Sequence, residues 1–99
     1  MVQRSSVRRE RLLREFGANI RRWRRVNGTT ASELAERAFV TRATLRDIET
    51  GTGTARTDSL FAVLMALGIA DSIVSAADPY NTSAARARID EILRKGGEL

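Results

Sequence analysis

The chain contains no cysteine and no histidine among its 99 residues. The missing cysteines exclude a disulfide framework and thiolate chemistry. The missing histidines remove the most frequent general base and the most frequent metal ligand of proteins. We therefore expect no metal site, no cofactor and no Cys- or His-based catalysis. An enzyme is the least favoured class of function for this chain.

Long apolar runs are missing as well. No run approaches the ~20 residues that cross a bilayer, and the arginine-rich N-terminus lacks the apolar stretch of a signal peptide. These absences predict a cytoplasmic protein without membrane contact. The chain also has a single proline, Pro79, and no sustained strand-like alternation. Its length and its pattern predict one small all-α domain.

Positive charge is concentrated near the N-terminus. Residues 1–26 hold nine arginines and two glutamates, a balance of +7 within a chain whose net charge is +5. Such a basic block favours a polyanionic partner, with nucleic acid ahead of an anionic membrane. A solvated helix face has the same composition, so charge alone leaves both interpretations open.

Helical periodicity runs through the whole chain. The predicted helices cover residues 8–26, 31–38, 41–50, 58–67, 70–77 and, after a cap at Asn81, Thr82 or Ser83, about 83–95. The first helix carries an apolar stripe made up of Leu12, Phe16, Ile20 and Trp23. Because Trp23 continues this stripe, its ring is predicted to lie in the core.

Cap signals delimit the short helices in the middle of the chain. Asn27-Gly28 suits the left-handed residue that follows a helix C-terminus. Thr30 and Glu33 have the spacing of a capping box, and Thr41 is a capping residue for the next helix. Only residues 39–41 separate the second helix from the third, so the third is predicted to stand at a steep angle to the second.

Two helices joined by so short a turn form a helix-turn-helix, whose second helix enters the major groove of DNA and meets base edges. The residues of 41–50 that do not face the core are the candidate base readers: Arg42, Ala43, Thr44, Arg46 and Asp47. An arginine guanidinium donates two hydrogen bonds to guanine, and an aspartate carboxylate accepts one from the cytosine amino group or orients an arginine. Small apolar groups contact the thymine methyl group. An ordinary helical hairpin whose polar face meets only water is the alternative.

The order of five helices resembles the lambda-repressor-like (XRE) helix-turn-helix family over residues 16–77. The resemblance rests on FGANIRRWRR, T-x-x-ELAERA, VTRATLRDIETG and SLFAVLMALGI. It implies an all-α, five-helix, DNA-binding fold, here with an extra C-terminal helix. Independently of the resemblance, residues 1–15 are predicted to be a basic extension of the first helix whose Glu10 and Glu15 offset its arginines, with a disordered arm that follows a groove as the alternative. Residues 78–99 are predicted to hold the last helix and a frayed tail.

The resemblance also implies roles for individual residues. Arg24 on the first helix pairs with Glu49, at the end of the recognition helix, as a structural salt bridge. Contacts with DNA phosphates fall at helix starts and in the loop after the recognition helix, at Thr30, Thr41, Thr50, Thr52, Thr54 and Arg56. Backbone N–H groups at the start of the second helix add to them, because helix N-termini attract phosphate.

Two residues depart from the family pattern. The family has glycine where this chain has Phe39, and a bulky side chain at positive φ costs ~1–2 kcal/mol. Either the turn is wider here, or Phe39 enters a pocket of a partner. Ala31 stands where the family often has a glutamine that contacts phosphate, so the grip on DNA is in doubt at that point.

The segment MALGIADSIVSAADPYNTSAARARIDE resembles, more loosely, the end of antitoxins paired with Hip-type kinase toxins. Pro79, Arg86 and Arg88 carry this second resemblance. It implies an autoregulatory repressor with a Hip-like kinase toxin as partner, and a stand-alone, prophage-type regulator is the alternative.

The expected assembly is a homodimer on double-stranded DNA. We expect the fourth, fifth and last helices to include its interface. A two-fold dimer places its recognition helices about one DNA turn, ~34 Å, apart on an inverted repeat. A protein-interaction module that has lost DNA binding is an alternative from another class. RNA binding is less favoured, because no aromatic side chain is expected on a polar face to stack bases.

Overall fold

Six α-helices follow one another in the computed structural model, which describes residues 4–99. They are α1 (Arg4–Val26), α2 (Ala31–Ala38), α3 (Arg42–Thr50), α4 (Thr57–Leu67), α5 (Ala70–Ala76) and α6 (Ser83–Arg94). No strand occurs in this part of the chain. The all-α prediction is confirmed, and the predicted helix boundaries hold within a few residues.

Local sequence signals set the helix ends. The Thr30 hydroxyl accepts from the Glu33 backbone N–H, and the Glu33 carboxylate accepts from the Thr30 backbone N–H, which completes the predicted capping box. Hydrogen bonds from the Thr30 backbone and side chain lower the pKa of Glu33. The Thr41 hydroxyl accepts from the Thr44 backbone N–H at the start of α3. Gly28 follows α1 in the left-handed region, at φ +68°.

The core lies between α1, α2, α3 and α4. Its most deeply buried side chains are Ile20, Leu34, Leu45, Val63 and Leu64. Ile73 of α5 and Ile69, the residue before this helix, close one side and pack against this cluster while staying partly exposed. Buried residues of both α2 and α3 belong to this core, which therefore holds the two helices of the predicted helix-turn-helix against each other.

The prediction that Trp23 lies in the core is wrong. Trp23 is 45% exposed and Leu12 is 48% exposed, and Ile20 alone of the predicted stripe is fully buried. Helix α1 faces α3 with Gly17 and Arg24 instead. That contact turns Trp23 toward the edge of the core, where it borders a groove beside α5.

Helices α1 and α3 touch backbone to backbone at Gly17. A Cβ atom at this buried position would meet the Ile48 carbonyl oxygen and would lie 2.7 Å from the Glu49 carbonyl oxygen. The residue after α3, Gly51, packs equally closely on α1, because a Cβ there would lie 2.6 Å from the Leu13 carbonyl oxygen. Two glycines therefore let α3 lie directly on α1.

The two ends of the chain extend from this core. Residues 4–15 form the first half of α1 rather than an arm, and residues 1–3 of the predicted extension lie outside the described residues. At the other end, α6 packs against a short 3-10 turn, Pro79–Asn81, that the sequence pattern does not predict. Fraying does not begin directly after α6, because Gly96 and Gly97 donate to carbonyls of its last turn.

Within residues 4–99, no single helix is long and apolar enough to span a membrane. Helices α4 and α5 meet the length and composition requirement only as a pair bent by 118°. Much of α4 lies in the core, where Val63, Leu64 and Leu67 are buried.

Candidate nucleic-acid interface

The turn between α2 and α3 is tight. Phe39 occupies the left-handed region at φ +55°, and its backbone N–H donates to carbonyls of the last turn of α2. The expectation of a wider turn is therefore wrong, because Phe39 takes the conformation that glycine would take. Its side chain is 95% exposed and gains nothing from the core of its own domain.

Backbone strain at Phe39 leads to a stability prediction. Phe39→Gly removes a strain of about 1–2 kcal/mol and adds about 0.5–1 kcal/mol of unfolded-chain entropy. We expect a net gain of up to about 1 kcal/mol in the free energy of unfolding, measured by urea titration. Phe39→Ala is the matched control, since it removes the phenyl ring but keeps the Cβ, and it should leave stability nearly unchanged. A loss of stability in Phe39→Gly relative to Phe39→Ala would contradict the prediction.

Three of the five candidate base readers share one concave surface. Arg42, Ala43 and Arg46 line it, together with Arg21 and Arg24 of α1. The other two lie outside this surface. Thr44 is half-buried, and its hydroxyl accepts a hydrogen bond from the Thr41 hydroxyl. Asp47 borders a different, mostly apolar cavity beside α1.

Asp47 contributes its backbone, rather than an ion pair, to the end of α3. No ion pair joins it to Arg42 or Arg46 among the described residues. Its backbone carbonyl instead accepts from the N–H groups of Gly51 and Thr52 and so ends α3. Acceptance from a cytosine therefore stays a prediction for its side chain.

Arg42 has a partner that the sequence pattern missed. Its Nη1 donates to the Ser32 hydroxyl at 2.6 Å, linking the first turn of α3 to the first turn of α2. Arg21 is exposed to solvent and borders the same surface. Its spacing of three residues from Arg24 puts both side chains on one face of α1.

The candidate phosphate contacts lie at two exposed places. Thr30 and Thr41 are the caps of α2 and α3. The others follow in the segment that ends and leaves α3: Thr50, Thr52, Thr54 and Arg56. In the unbound chain, the Thr50 hydroxyl donates to the Arg46 carbonyl, and Arg56 pairs with Asp58. These exposed contacts are weak and exchange readily with solvent or phosphate.

Arg24 and Glu49 join α1 to the end of α3. Arg24 Nε lies 2.7 Å from Glu49 Oε2, and Arg24 Nη2 lies 3.0 Å from Glu49 Oε1, a two-pronged contact. Arg24 Nη1 also donates to the Thr29 carbonyl at 3.2 Å. The two side chains are only 14% and 10% exposed. The hydrogen bonds with Glu49 raise the pKa of Arg24 above its ordinary value.

The site therefore combines a well-anchored helix with exposed guanidinium groups. Within residues 4–99, no group of three or more acidic side chains is placed to hold a metal ion. The arrangement is chemically suited to hydrogen bonding with bases and phosphates, since arginine presents a planar fork of donors.

Comparison with known proteins assigns the family. A helix-turn-helix family model matches residues 20–72, more than half of the chain. Neither the curated proteins nor the solved structures give a match. The matched residues include α2, the turn, α3 and α4, and every residue that lines the concave surface lies within the match. Members of the family are DNA-binding regulators and not enzymes. The chain belongs to the XRE-type helix-turn-helix family of DNA-binding transcription regulators.

Proposed function

We propose that the protein is a sequence-specific transcriptional repressor that binds an inverted repeat as a dimer and reads bases through α3. The observation that carries this proposal is the exposure of Arg42, Ala43 and Arg46 on one surface of a helix anchored to its neighbours. A helix in this setting presents its first turn to the major groove. The exposed threonines and Arg56 supply the phosphate contacts that position it.

Selection of operators from a random palindrome library tests the proposal. The wild type should enrich an inverted repeat. Arg42→Ala should relax the preference at one symmetric position, with a loss of about 1–3 kcal/mol there. The dependence of affinity on salt should stay nearly the same, because Arg42 contacts a base and each phosphate contact contributes about −0.9 to the slope.

A matched control separates base reading from loss of charge. Arg88→Ala removes one exposed arginine from α6, far along the chain from α3. It should leave the selected motif unchanged. Enrichment of no motif, or binding that salt abolishes and Arg42→Ala leaves alone, would identify the chain as an interaction module that no longer reads DNA.

The C-terminal resemblance supports a narrower version of the proposal, an autoregulatory antitoxin with a Hip-like kinase toxin as partner. The structural observation in its favour is the exposure of Ile92 and Leu93 on α6, which is available to a second protein. Co-purification with a toxin encoded in the same operon tests this version. A stand-alone regulator is the outcome if no such gene accompanies it.

A further inference from the structure

Helix α1 carries a mostly exposed apolar face, which its own domain covers only in part, at Phe16. Its residues are Leu12, Phe16, Asn19, Trp23 and Val26, which we call the α1 seam. They follow one another at spacings of four and three residues, the repeat by which two helices pack along their length. Trp23 and Leu12 are about half exposed, and Val26 is 76% exposed.

The α1 seam is continuous. Phe16 and Asn19 border a shallow depression with Leu12 on one side, and both also border the groove that contains Trp23 and Val26. Ile73 of α5 and Ile69, which directly precedes α5, form the far wall of that groove. An apolar surface thus follows α1 over about four turns.

We propose that the α1 seam binds the α1 seam of a second copy, with the two helices antiparallel and crossing at Asn19. A two-fold axis there sets Leu12 opposite Val26 of the second copy and Phe16 beside its Trp23. This inference rests on the proposed function, because a protein that reads an inverted repeat requires a two-fold dimer.

Charge complementarity favours the antiparallel pair. Glu15 and Arg22 flank the same side of the α1 seam, seven residues apart. In the antiparallel arrangement, Glu15 lies beside Arg22 of the second copy, and the reciprocal pair forms across the axis. A parallel arrangement sets Glu15 beside an apolar residue and gathers the arginines of both N-terminal extensions together, which is repulsive.

In the monomer, Glu15 and Arg22 make only weak contacts at the surface, which a second copy can replace. Glu15 lies 3.9 Å from Arg11, and both side chains are more than 60% exposed. Arg22 donates to the Asn19 side chain at 2.8 Å, also at the surface. Exposed contacts of this kind contribute little to stability. Asn19 has the further role of fixing the register, as a single polar residue does within an apolar seam.

The α1 seam leaves the recognition helix free. Gly17 and Arg24, which contact α3, lie about a third of a turn around α1 from the seam. A second copy on the seam therefore does not cover Arg42 or Arg46. The sequence pattern favours the fourth, fifth and last helices as the dimer interface. Of these three helices, only α5 contributes to the interface proposed here, as one wall of the groove beside α1.

Sedimentation velocity with two charge-reversal variants tests the pairing. We expect the wild type to dimerise, and Glu15→Arg and Arg22→Glu each to raise the dimer dissociation constant by about tenfold or more, because each creates two like-charge contacts. A 1:1 mixture of the two variants should restore dimers, since every cross-axis pair is then of opposite charge. Arg25→Glu, the same change on the outer face of α1, is the control and should dimerise as the wild type does.

Fluorescence gives an independent readout. Trp23 is the only tryptophan in the chain, so its emission should shift to shorter wavelength as the wild type becomes concentrated and the ring is buried. A monomeric wild type, variants that dimerise normally, or a mixture that stays monomeric each overturn the proposal.

A half-site DNA duplex separates this proposal from the proposed function. Monomeric Arg22→Glu that still binds a half-site through Arg42 agrees with both proposals. If the wild type dimerises with the predicted charge pairing but binds no DNA, the α1 seam proposal stands and the proposed DNA-binding function is wrong.

Discussion

Replacing Gly17 by alanine is expected to unfold much of the domain at moderate temperature. The added methyl group meets the backbone of α3, which has no rotamer into which to move. Overpacking of this kind costs typically 1–3 kcal/mol, and contact with backbone places Gly17→Ala at the upper end, even after a gain of about 1 kcal/mol in helix propensity. For a domain of this size we expect the melting temperature to fall by about 10–20 °C.

Gly28→Ala is the matched control for this change. Gly28, unlike Gly17, has a positive φ, but a Cβ atom there meets nothing within 4 Å. Gly28→Ala should therefore lower the free energy of unfolding by only about 1 kcal/mol, the strain of a side chain at positive φ. Calorimetry of the two variants measures the difference. Equal melting temperatures would show that α1 and α3 do not meet at Gly17.

Glu49→Ala is the second change with a large expected effect. It leaves the Arg24 guanidinium nearly buried, with only the Thr29 carbonyl as a partner. Removing one member of a buried pair costs about 3–5 kcal/mol, and we expect about 3 kcal/mol here because both groups keep some contact with water. The midpoint of urea unfolding measures this loss, which should persist at high salt because buried pairs are screened little.

An exposed ion pair supplies the control. Glu91→Ala removes the partner of Lys95 on α6, where both side chains are more than half exposed, and should change stability by less than about 0.5 kcal/mol. The double variant Arg24→Met, Glu49→Leu should recover part of the loss, because an apolar pair avoids the buried charge. If Glu49→Ala were no worse than Glu91→Ala, the pair would contribute nothing to holding α3.

Local signals predicted the helices and their caps well because those signals act within one turn. Thr30 and Glu33 satisfy each other without reference to the rest of the chain, and Thr41 likewise caps α3 by itself. The short 3-10 turn after Asp78 escaped prediction, since proline there marks only where a helix ends.

Contacts between distant segments were harder to predict. The position of Trp23 depends on which edge of α1 meets α3, and the apolar stripe alone does not fix that edge. The close approach at Gly17 had a signal, a glycine within a strongly helical segment, but not its partner. The hydrogen bond from Arg42 to Ser32 needs the angle between α2 and α3, which no spacing in the sequence supplies.

The anchoring of α3 at both ends determines which molecule must adapt during binding. Thr41 and the Arg42–Ser32 contact hold its first turn, and the Arg24–Glu49 pair holds its last turn. A reading helix held in this way has little conformational entropy left to lose in the groove. Operator selection should therefore extend to base pairs that no side chain touches, through the stiffness and groove width of the DNA that has to fit the protein.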